Sequence, residues 1–417
     1  MSEWRSRYIS DIAQIVSGST PSTNYIEYWD GNIVWITPND ISKTKSRYIN
    51  SSERKITTLG LKSSSINVVP AFNVVMSSRA PIGYFAIPTI DFSTNQGCKS
   101  FIINHDQDAE FLYYKFLHHI DLFKRFGNGS TFAEISKSNL EKLSFLIPPS
   151  KQEQHKIAQI LSSVDKVIEK TEAAIEKYQS IKVGMMQNLI TRGIDVKTGK
   201  LRPSFQETPE LYKDTSLGWI PGEWEVTTIQ DACDEFINGG TPSTKNPSNW
   251  EGTIPWITGA DFLDSFEVGL IRRHINDEAL RNSSSHLINK GNILLVTRTG
   301  VGKLAIAPFD VAISQDITGI ILDSTKYETG FFYFYLQLLV EDFKKMNQGT
   351  SINGIIRSDL EDTLIVQPSL DEQKQIAIIL KTLDVTLKNE QRDLNKYRDL
   401  KMGLMADLLT GKARIYV

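Results

Sequence analysis

Cysteine is scarce in this chain: Cys98 and Cys233 are the two among 417 residues, one in each half. That excludes the dense pairing of a disulfide-stapled secreted scaffold and the short Cys spacing of a zinc site. The six histidines, including adjacent His118 and His119, form no ligand set with them. No apolar run is long enough to span a membrane, and Met1 to Arg7 has no apolar stretch behind it, so no secretory leader is expected. These absences point to a reducing cytoplasm without membrane contact.

Excess positive charge is missing as well. The formal net charge of −3 argues against a simple basic nucleic-acid binder. The distribution is uneven: residues 219–367 carry 11 Lys and Arg against 20 Asp and Glu, whereas residues 1–148 carry 15 against 13. An acidic domain can still bind DNA if its basic groups gather on one face. The 40% hydrophobic and 23% charged content is that of an ordinary globular protein, and the length exceeds one ordinary domain.

What is present is a long helical stretch, and it occurs twice. Pro148 and Pro149 end the preceding element. Ser150 with Glu153 reads as a capping box. Ile157, Ile160, Leu161, Val164, Ile168, Ile175, Tyr178, Met185 and Leu189 then fall on one helical face, and Thr191-Arg192-Gly193 ends it. About 42 residues would span roughly 60 Å, so this helix needs a partner along its length. The partner follows Pro368: Ser369 and Glu372 repeat the box. Ile376, Ile379, Leu380, Leu383, Leu387, Leu394, Tyr397, Leu404 and Leu408 repeat the stripe, and Thr410-Gly411 repeats the end. Both stripes break at matching places, Thr171/Glu172 and Glu390/Gln391. Both carry a late glycine, Gly184 and Gly403, read either as local tolerance or as close helix contact. An antiparallel pairing spares the 194–218 linker a return journey of roughly 60 Å and would place a globular region at each end of a rod. Such a coil would act as a ruler: inserting four residues near Thr171 adds about 6 Å of helix.

The globular regions repeat too, at an offset of about 220 residues. Gly18-Ser19-Thr20-Pro21-Ser22-Thr23 returns as Gly239-Gly240-Thr241-Pro242-Ser243-Thr244. Trp29, Gly31, Trp35, Ile36, Thr37 and Asp40 return as Trp250, Gly252, Trp256, Ile257, Thr258 and Asp261. Ser78-Arg79-Ala80-Pro81-Ile82-Gly83 returns as Thr297-Arg298-Thr299-Gly300-Val301-Gly302, Gln96 as Gln315, and Gly129-Ser130-Thr131 as Gly349-Thr350-Ser351. Strands are expected at Val34–Ile36, Phe72–Met76, Tyr84–Ile87 and Ser100–Ile103, with one helix over Phe111–Phe123. The fold class is therefore α+β: two similar sheet-rich domains and two long antiparallel helices in a coiled coil, an internal repeat of pseudo-two-fold character. The division is 1–148, first domain; 149–193, first helix; 194–218, a linker held against something; 219–367, second domain; 368–411, second helix; 412–417, tail.

Between these landmarks the copies diverge. Lys43, Lys45, Arg47, Arg54 and Lys55 stand against Glu267, Arg272, Arg273 and Arg281. One scaffold with two variable surfaces suggests two sites that read different things. Enzymatic motifs fail. Gly300-Val301-Gly302-Lys303 is followed by Leu304, not the Ser or Thr of a phosphate loop. Asn246-Pro247-Ser248 lacks the second proline and the aromatic of an adenine-methylating motif. Pro38-Asn39-Asp40 with Lys43 is a poor nuclease triad. Asp40 and Asp261 read as turn or cap residues, and Trp35 and Trp256 as core. Arg79 and Arg298 are either donors to a loop or phosphate contacts.

The order Gly-x-Thr-Pro-Ser-Thr, Trp-x-Gly-x-Ile-x-Trp-Ile-Thr and Ile-Pro-Pro-Ser-x-x-Glu-Gln, with Gly193 to Phe205 and Gly218-Trp219-Ile220-Pro221, resembles the type I restriction–modification specificity (S) subunits. The resemblance covers essentially the whole chain; Gln367-Pro368 departs from the Pro148-Pro149 of the first copy. It implies two target-recognition domains, each reading half of a bipartite, asymmetric double-stranded DNA target, and helices that fix the gap. It also implies two DNA-methyltransferase subunits and, in the full complex, two restriction/translocase subunits. S-adenosylmethionine, ATP and Mg2+ would serve those partners, with no cofactor, metal or catalytic residue in this chain. Candidate DNA contacts are Lys43, Lys45, Arg47, Arg54, Lys55, Arg79, Arg272, Arg273, Arg298 and Lys303; the alternative for the first cluster is a solvated charged loop. Candidate helix–helix packing residues are Ile157, Leu161, Val164, Ile168 and Ile175 with Ile376, Leu380, Leu383, Leu387 and Leu394. Two other readings remain: a recognition module of a different DNA-modifying assembly, or a coiled-coil scaffold that binds no DNA.

Overall fold

The computed structural model describes residues 3–79, 81–127, 134–263, 267–348 and 354–415. Ala80, the matched Gly129-Ser130-Thr131 and Gly349-Thr350-Ser351 triplets, and Tyr416 and Val417 of the tail lie outside them. The chain forms two compact units. Unit 1 joins Met1–Ala174 to Glu390–Val417, and unit 2 is Ile175–Asn389. Compactness thus divides the chain within the long helices rather than at their starts.

In unit 1, Phe111–Phe123 was expected as one helix, but α1 (Ala109–His118) and α2 (Ile120–Gly127) are separate. The chain turns at His119, which leaves helical geometry (φ −104°, ψ 25°), with its ring 5.1 Å from that of Phe145. A five-stranded sheet has the order Ala13–Ser17, Cys98–Ile103, Val74–Ser77, Phe85–Pro88, Tyr48–Ile49. A three-stranded sheet has the order Lys55–Ile56, Trp29–Ile36, Phe92–Thr94. The alternation expected of strands is weak because several are buried on both faces, as the wholly buried Val74–Ser77 and Phe85–Pro88 show.

The first long helix, α3, spans Lys151–Thr191. Pro148 and Pro149 remain outside it, and Ser150 Oγ accepts from Glu153 N at 3.3 Å. Its first part packs in unit 1, where Ile157 and Leu161 join Phe101, Phe116 and Phe145 in one core.

In unit 2 the 194–218 stretch is not a bare connection. Ile194–Asp195 pairs with Lys200–Leu201, and Tyr212–Thr215 pairs with Gly218–Pro221. The second hairpin crosses residue 219, so this stretch and the domain after it are one folded piece. Phe205 stacks on Trp219 with centroids 4.1 Å apart. Two four-stranded sheets follow. One runs Cys233–Asn238, Ile317–Leu322, Ile293–Val296, Leu304–Ile306; the other runs Arg273–Ile275, Ile254–Ile257, Val311–Ile313, His286–Ile288. Helix α4 (Thr329–Gln348) is continuous where unit 1 has α1 and α2. The second long helix, α5, spans Leu370–Leu408, and its first part packs Ile376 and Leu380 with Met186, Leu189, Trp224 and Phe331.

The long helices are antiparallel within each unit. In unit 1, Lys401 Nζ meets Asp165 at 2.6 Å and Arg398 Nη2 meets Glu172 at 2.7 Å, so the numbering rises on α3 as it falls on α5. In unit 2, Lys182 meets Asp384 at 2.5 Å and Ile194 N donates to Glu372 at 2.8 Å. Ile175 and Leu394 are buried, whereas Val164, Ile168, Leu383 and Leu387 are half-buried. An added Cβ at Gly184 or Gly403 would meet no atom within 4 Å. Of the two readings of these glycines, close helix contact is therefore overturned within the chain.

Candidate nucleic-acid interface

Each unit builds the same cradle under the Thr-Pro-Ser loop. A buried indole N–H needs an acceptor, and loop carbonyls supply it. Trp35 Nε1 donates to Ser19 O at 3.0 Å and Trp29 Nε1 to Ser22 O at 3.2 Å. In unit 2, Trp256 Nε1 donates to Gly240 O at 3.1 Å and Trp250 Nε1 to Ser243 O at 3.4 Å. The rings meet edge to face, 5.1 Å apart for Trp29 and Trp35 and 5.0 Å for Trp250 and Trp256. Glycine is required where the loop leaves the sheet: a Cβ on Gly18 would lie 2.0 Å from Asn95 O, and one on Gly239 2.3 Å from Ile313 O. On the exposed side, Thr20 donates to Gln96 and Thr241 to Gln315.

Beside the cradle, Asp40 Oδ2 accepts from Thr37 N and Asp261 Oδ2 from Thr258 N, both at 2.8 Å. These carboxylates are caps. Their other oxygens serve different partners. Asp40 Oδ1 accepts from Glu53 N at 2.8 Å, whereas Asp261 Oδ1 accepts from Arg272 Nε and Nη2 at 3.1 and 2.8 Å. Burial raises the Asp261 pKa, but the Thr258 N–H and Arg272 outweigh it and hold the carboxyl below its usual value. The shared scaffold thus carries divergent surface chemistry from one repeated point.

The candidate basic residues separate into groups. Arg54 and Lys55 are exposed, with the Arg54 guanidinium 3.5 Å from the Trp29 ring centroid. Lys43 is exposed and pairs with Glu53 at 3.3 Å; Lys45 is exposed. Arg47 is a correction. Its side chain is 5% exposed, 3.8 Å from Glu110 and 3.9 Å from Asp165, so it faces the protein interior instead of DNA. Its Nη2 also donates to Tyr48 Oη at 3.4 Å, while its buried Nε has no hydrogen-bond partner among the described residues. Arg79 donates from Nε to Glu134 at 2.9 Å, which favours the loop-donor reading, while Arg298 is exposed. Arg272 and Arg273 keep exposed faces although both reach Asp261, and Arg273 lies 4.6 Å from the Trp256 ring centroid. Lys303 is drawn inward, donating to Phe262 O at 3.1 Å.

Sequence reasoning missed the residues that seat the long helices. Glu153 and Glu372, read as capping-box partners, instead accept from indoles: Trp4 Nε1 and Trp224 Nε1 both donate at 3.0 Å. Glu372 also receives the buried Arg202 guanidinium. The neighbouring glutamines act alike. Gln154 Oε1 accepts from Asp108 N and Gln373 Oε1 from Glu328 N, both at 2.8 Å, while their amides donate to Pro148 O at 2.9 Å and Pro368 O at 2.8 Å. The signal was available: Trp4 and Trp224 recur at an offset within one residue of that of Glu153 and Glu372.

Burial pushes the Cys98 thiol up and raises Cys233 to about 12, so neither is a thiolate at neutral pH. Among the described residues, no group of three or more His, Cys, Asp or Glu is arranged to hold a metal ion, and no helix is long and apolar enough to cross a membrane.

The description of the type I restriction modification DNA specificity domain matches residues 1–177 and again 221–396. The chain belongs to this specificity family. Its relatives include the type I restriction enzyme MjaIX specificity subunit of Methanocaldococcus jannaschii, 28% identical, with 99% of this chain and 94% of that one covered. The EcoR124I/EcoR124II specificity subunit of Escherichia coli is 30% identical over 176 residues, 39% of this chain and 41% of that one. The fold resembles that of a type I restriction–modification S subunit from M. genitalium, with a TM-score of 0.63 at 16% identity over 98% of this chain and 96% of that one. As a specificity-family member, the chain has its two matched domains at the two copies of the tryptophan cradle.

Proposed function

We propose that this chain is the non-catalytic, cytoplasmic specificity subunit of a type I restriction–modification complex. Each cradle and its flanking basic residues read one half of a bipartite, asymmetric DNA target. Arg54, Lys55, Arg272 and Arg273 supply phosphate and base contacts from exposed positions. The chain assembles with modification and restriction subunits, two copies of each. Those partners use S-adenosylmethionine, ATP and Mg2+ to methylate adenine, and to translocate and cut. The chain supplies specificity and docking alone.

The observation that carries this reading is the divergence at one shared cap: Asp40 holds a backbone N–H, and Asp261 holds an exposed arginine. Two equal folds with unequal polar surfaces suit two unlike half-sites. The test is to map methylated adenines in cells that carry the chain and its modification subunit. Exchanging the second domain for that of a relative should change one half-site and leave the other. A swap that altered both would sink the reading. A scaffold that binds no DNA would give no salt-sensitive, sequence-selective binding by the assembled complex.

A further inference from the structure

Unit 1 closes its five-stranded sheet with Tyr48–Ile49, which lies parallel to Phe85–Pro88. Ile87 N donates to Arg47 O at 2.8 Å and Thr89 N to Ile49 O at 2.9 Å. This short strand carries Arg47 inward to Glu110 and Asp165, and Tyr48 Oη donates to Glu110. Asp165 is met from the other side by Lys401 at 2.6 Å, whose ammonium lies 5.8 Å from the Tyr114 ring centroid, and Tyr114 Oη donates to Asp165 Oδ2 at 2.5 Å.

Unit 2 repeats one half of this arrangement and leaves the other open. Lys182 meets Asp384 Oδ1 at 2.5 Å and lies 5.7 Å from the Phe334 ring centroid, matching Lys401, Asp165 and Tyr114. The segment that would supply the closing strand turns back on itself instead. Leu263 N donates to Glu267 O at 2.8 Å and Gly269 N to Asp261 O at 2.7 Å. Among the described residues the sheet therefore ends at Leu304–Ile306. Ala307 N donates inward to Asn292 O at 2.8 Å, and successive backbone groups alternate, so Ile306 N–H points outward from the edge. Gly330 stands in place of Glu110, and Phe334, without a hydroxyl, in place of Tyr114. The result is a cleft of about 740 Å³ between Ile306, Gly330, Tyr333, Phe334 and Asp384. The Asp384 carboxylate lines this cleft, with its Oδ1 on Lys182.

We propose that this cleft docks an extended, arginine-bearing segment of a partner protein, its guanidinium on Asp384 Oδ2 and its backbone on Ile306 N–H. The segment supplies in trans what Arg47 to Ile49 supply within unit 1. Strand addition at a sheet edge is a common mode of peptide recognition. Pro308 offers no N–H where Thr89 donates, so the paired stretch is short and the arginine contributes most of the selectivity. A nucleic acid fits poorly. The lysines lining the cleft, Lys374, Lys381 and Lys388, are balanced by Glu267, Glu328 and Asp384, and Lys388 is already paired with Glu267.

The test uses the full chain and two ligands. The first is a capped peptide copying residues 44–50, Thr-Lys-Ser-Arg-Tyr-Ile-Asn, titrated by NMR or fluorescence. Saturable binding is expected, weakened roughly tenfold or more by Asp384→Asn in the chain or by Arg→Lys in the peptide. The second is the modification subunit, whose affinity should fall similarly with Asp384→Asn. It should stay within about twofold with Asp165→Asn, whose site the chain fills itself. This arm rests on the specificity-subunit reading: no complex with the wild-type chain would fail that reading, and the peptide arm would then decide the present one. No saturable peptide binding, or a wild-type complex untouched by Asp384→Asn, would overturn the docking site.

Discussion

Glu267, on a domain loop of unit 2, holds Lys388 of the second long helix at 2.9 and 3.0 Å. The pair is partly exposed, with side-chain accessibilities of 46% and 70%. Glu267→Lys should therefore cost about 0.2–1 kcal/mol. The double variant Glu267→Lys/Lys388→Glu should recover most of it, and the gap should shrink at high salt. Urea denaturation of the four chains in a double-mutant cycle measures this; additive losses would refute a direct pair.

Glu372 is the more demanding carboxylate of the two helix starts. It accepts from Trp224, Arg202 and Ile194 N–H, and its side chain is 2% exposed. Glu372→Ala strands a buried guanidinium and should cost about 3–5 kcal/mol. Glu153→Ala, which removes the acceptor of the Trp4 indole, should cost about 1–2 kcal/mol. Melting curves of the two variants should rank them in that order.

Gly184 and Gly403 lie in helical interiors with open space around them. Gly→Ala at either should stabilise the isolated chain by roughly 1 kcal/mol through helix propensity alone. A loss of stability at either site would show that unseen packing needs the glycine.

Lys115 gives a pH signature. Buried, with Nζ donating to Leu409 O at 2.5 Å, it is lowered by burial from 10.5 to about 8. The unfolded chain therefore binds the extra proton between these values, so stability rises with pH across that window. Below it the penalty is fully present, about 3 kcal/mol. Compared with Lys115→Met, the wild-type chain should gain relative stability as pH is raised from about 7 to about 10. A difference independent of pH would mean that the ammonium is solvated.

Among the basic residues, Arg54→Ala and Lys55→Ala should each reduce the salt slope of DNA binding by the assembled complex by about one. Arg47→Ala should leave the slope alone and lower the melting temperature, because its side chain is buried beside Glu110 and Asp165. Filter binding over a salt series separates the two behaviours.

The sequence alone determined the duplication, the two long helices and their ends, and the length of the 194–218 linker favoured their antiparallel direction. These are properties of spacing: prolines that cannot enter a helix, apolar residues at helical intervals, and a repeat offset that pairs each landmark with its copy. Tertiary structure decided what single side chains do. Arg47 and Arg54 are both cations in one polar stretch, yet the edge strand turns one against Asp165 while the other lies exposed beside Trp29. Glu153 and Glu372 carry a local capping signature but serve distant indoles, because a buried Trp N–H must find an acceptor. The open edge at Ile306 follows from a loop of unit 2 that pairs with itself, and local spacing does not encode which of two backbone partners a strand edge receives.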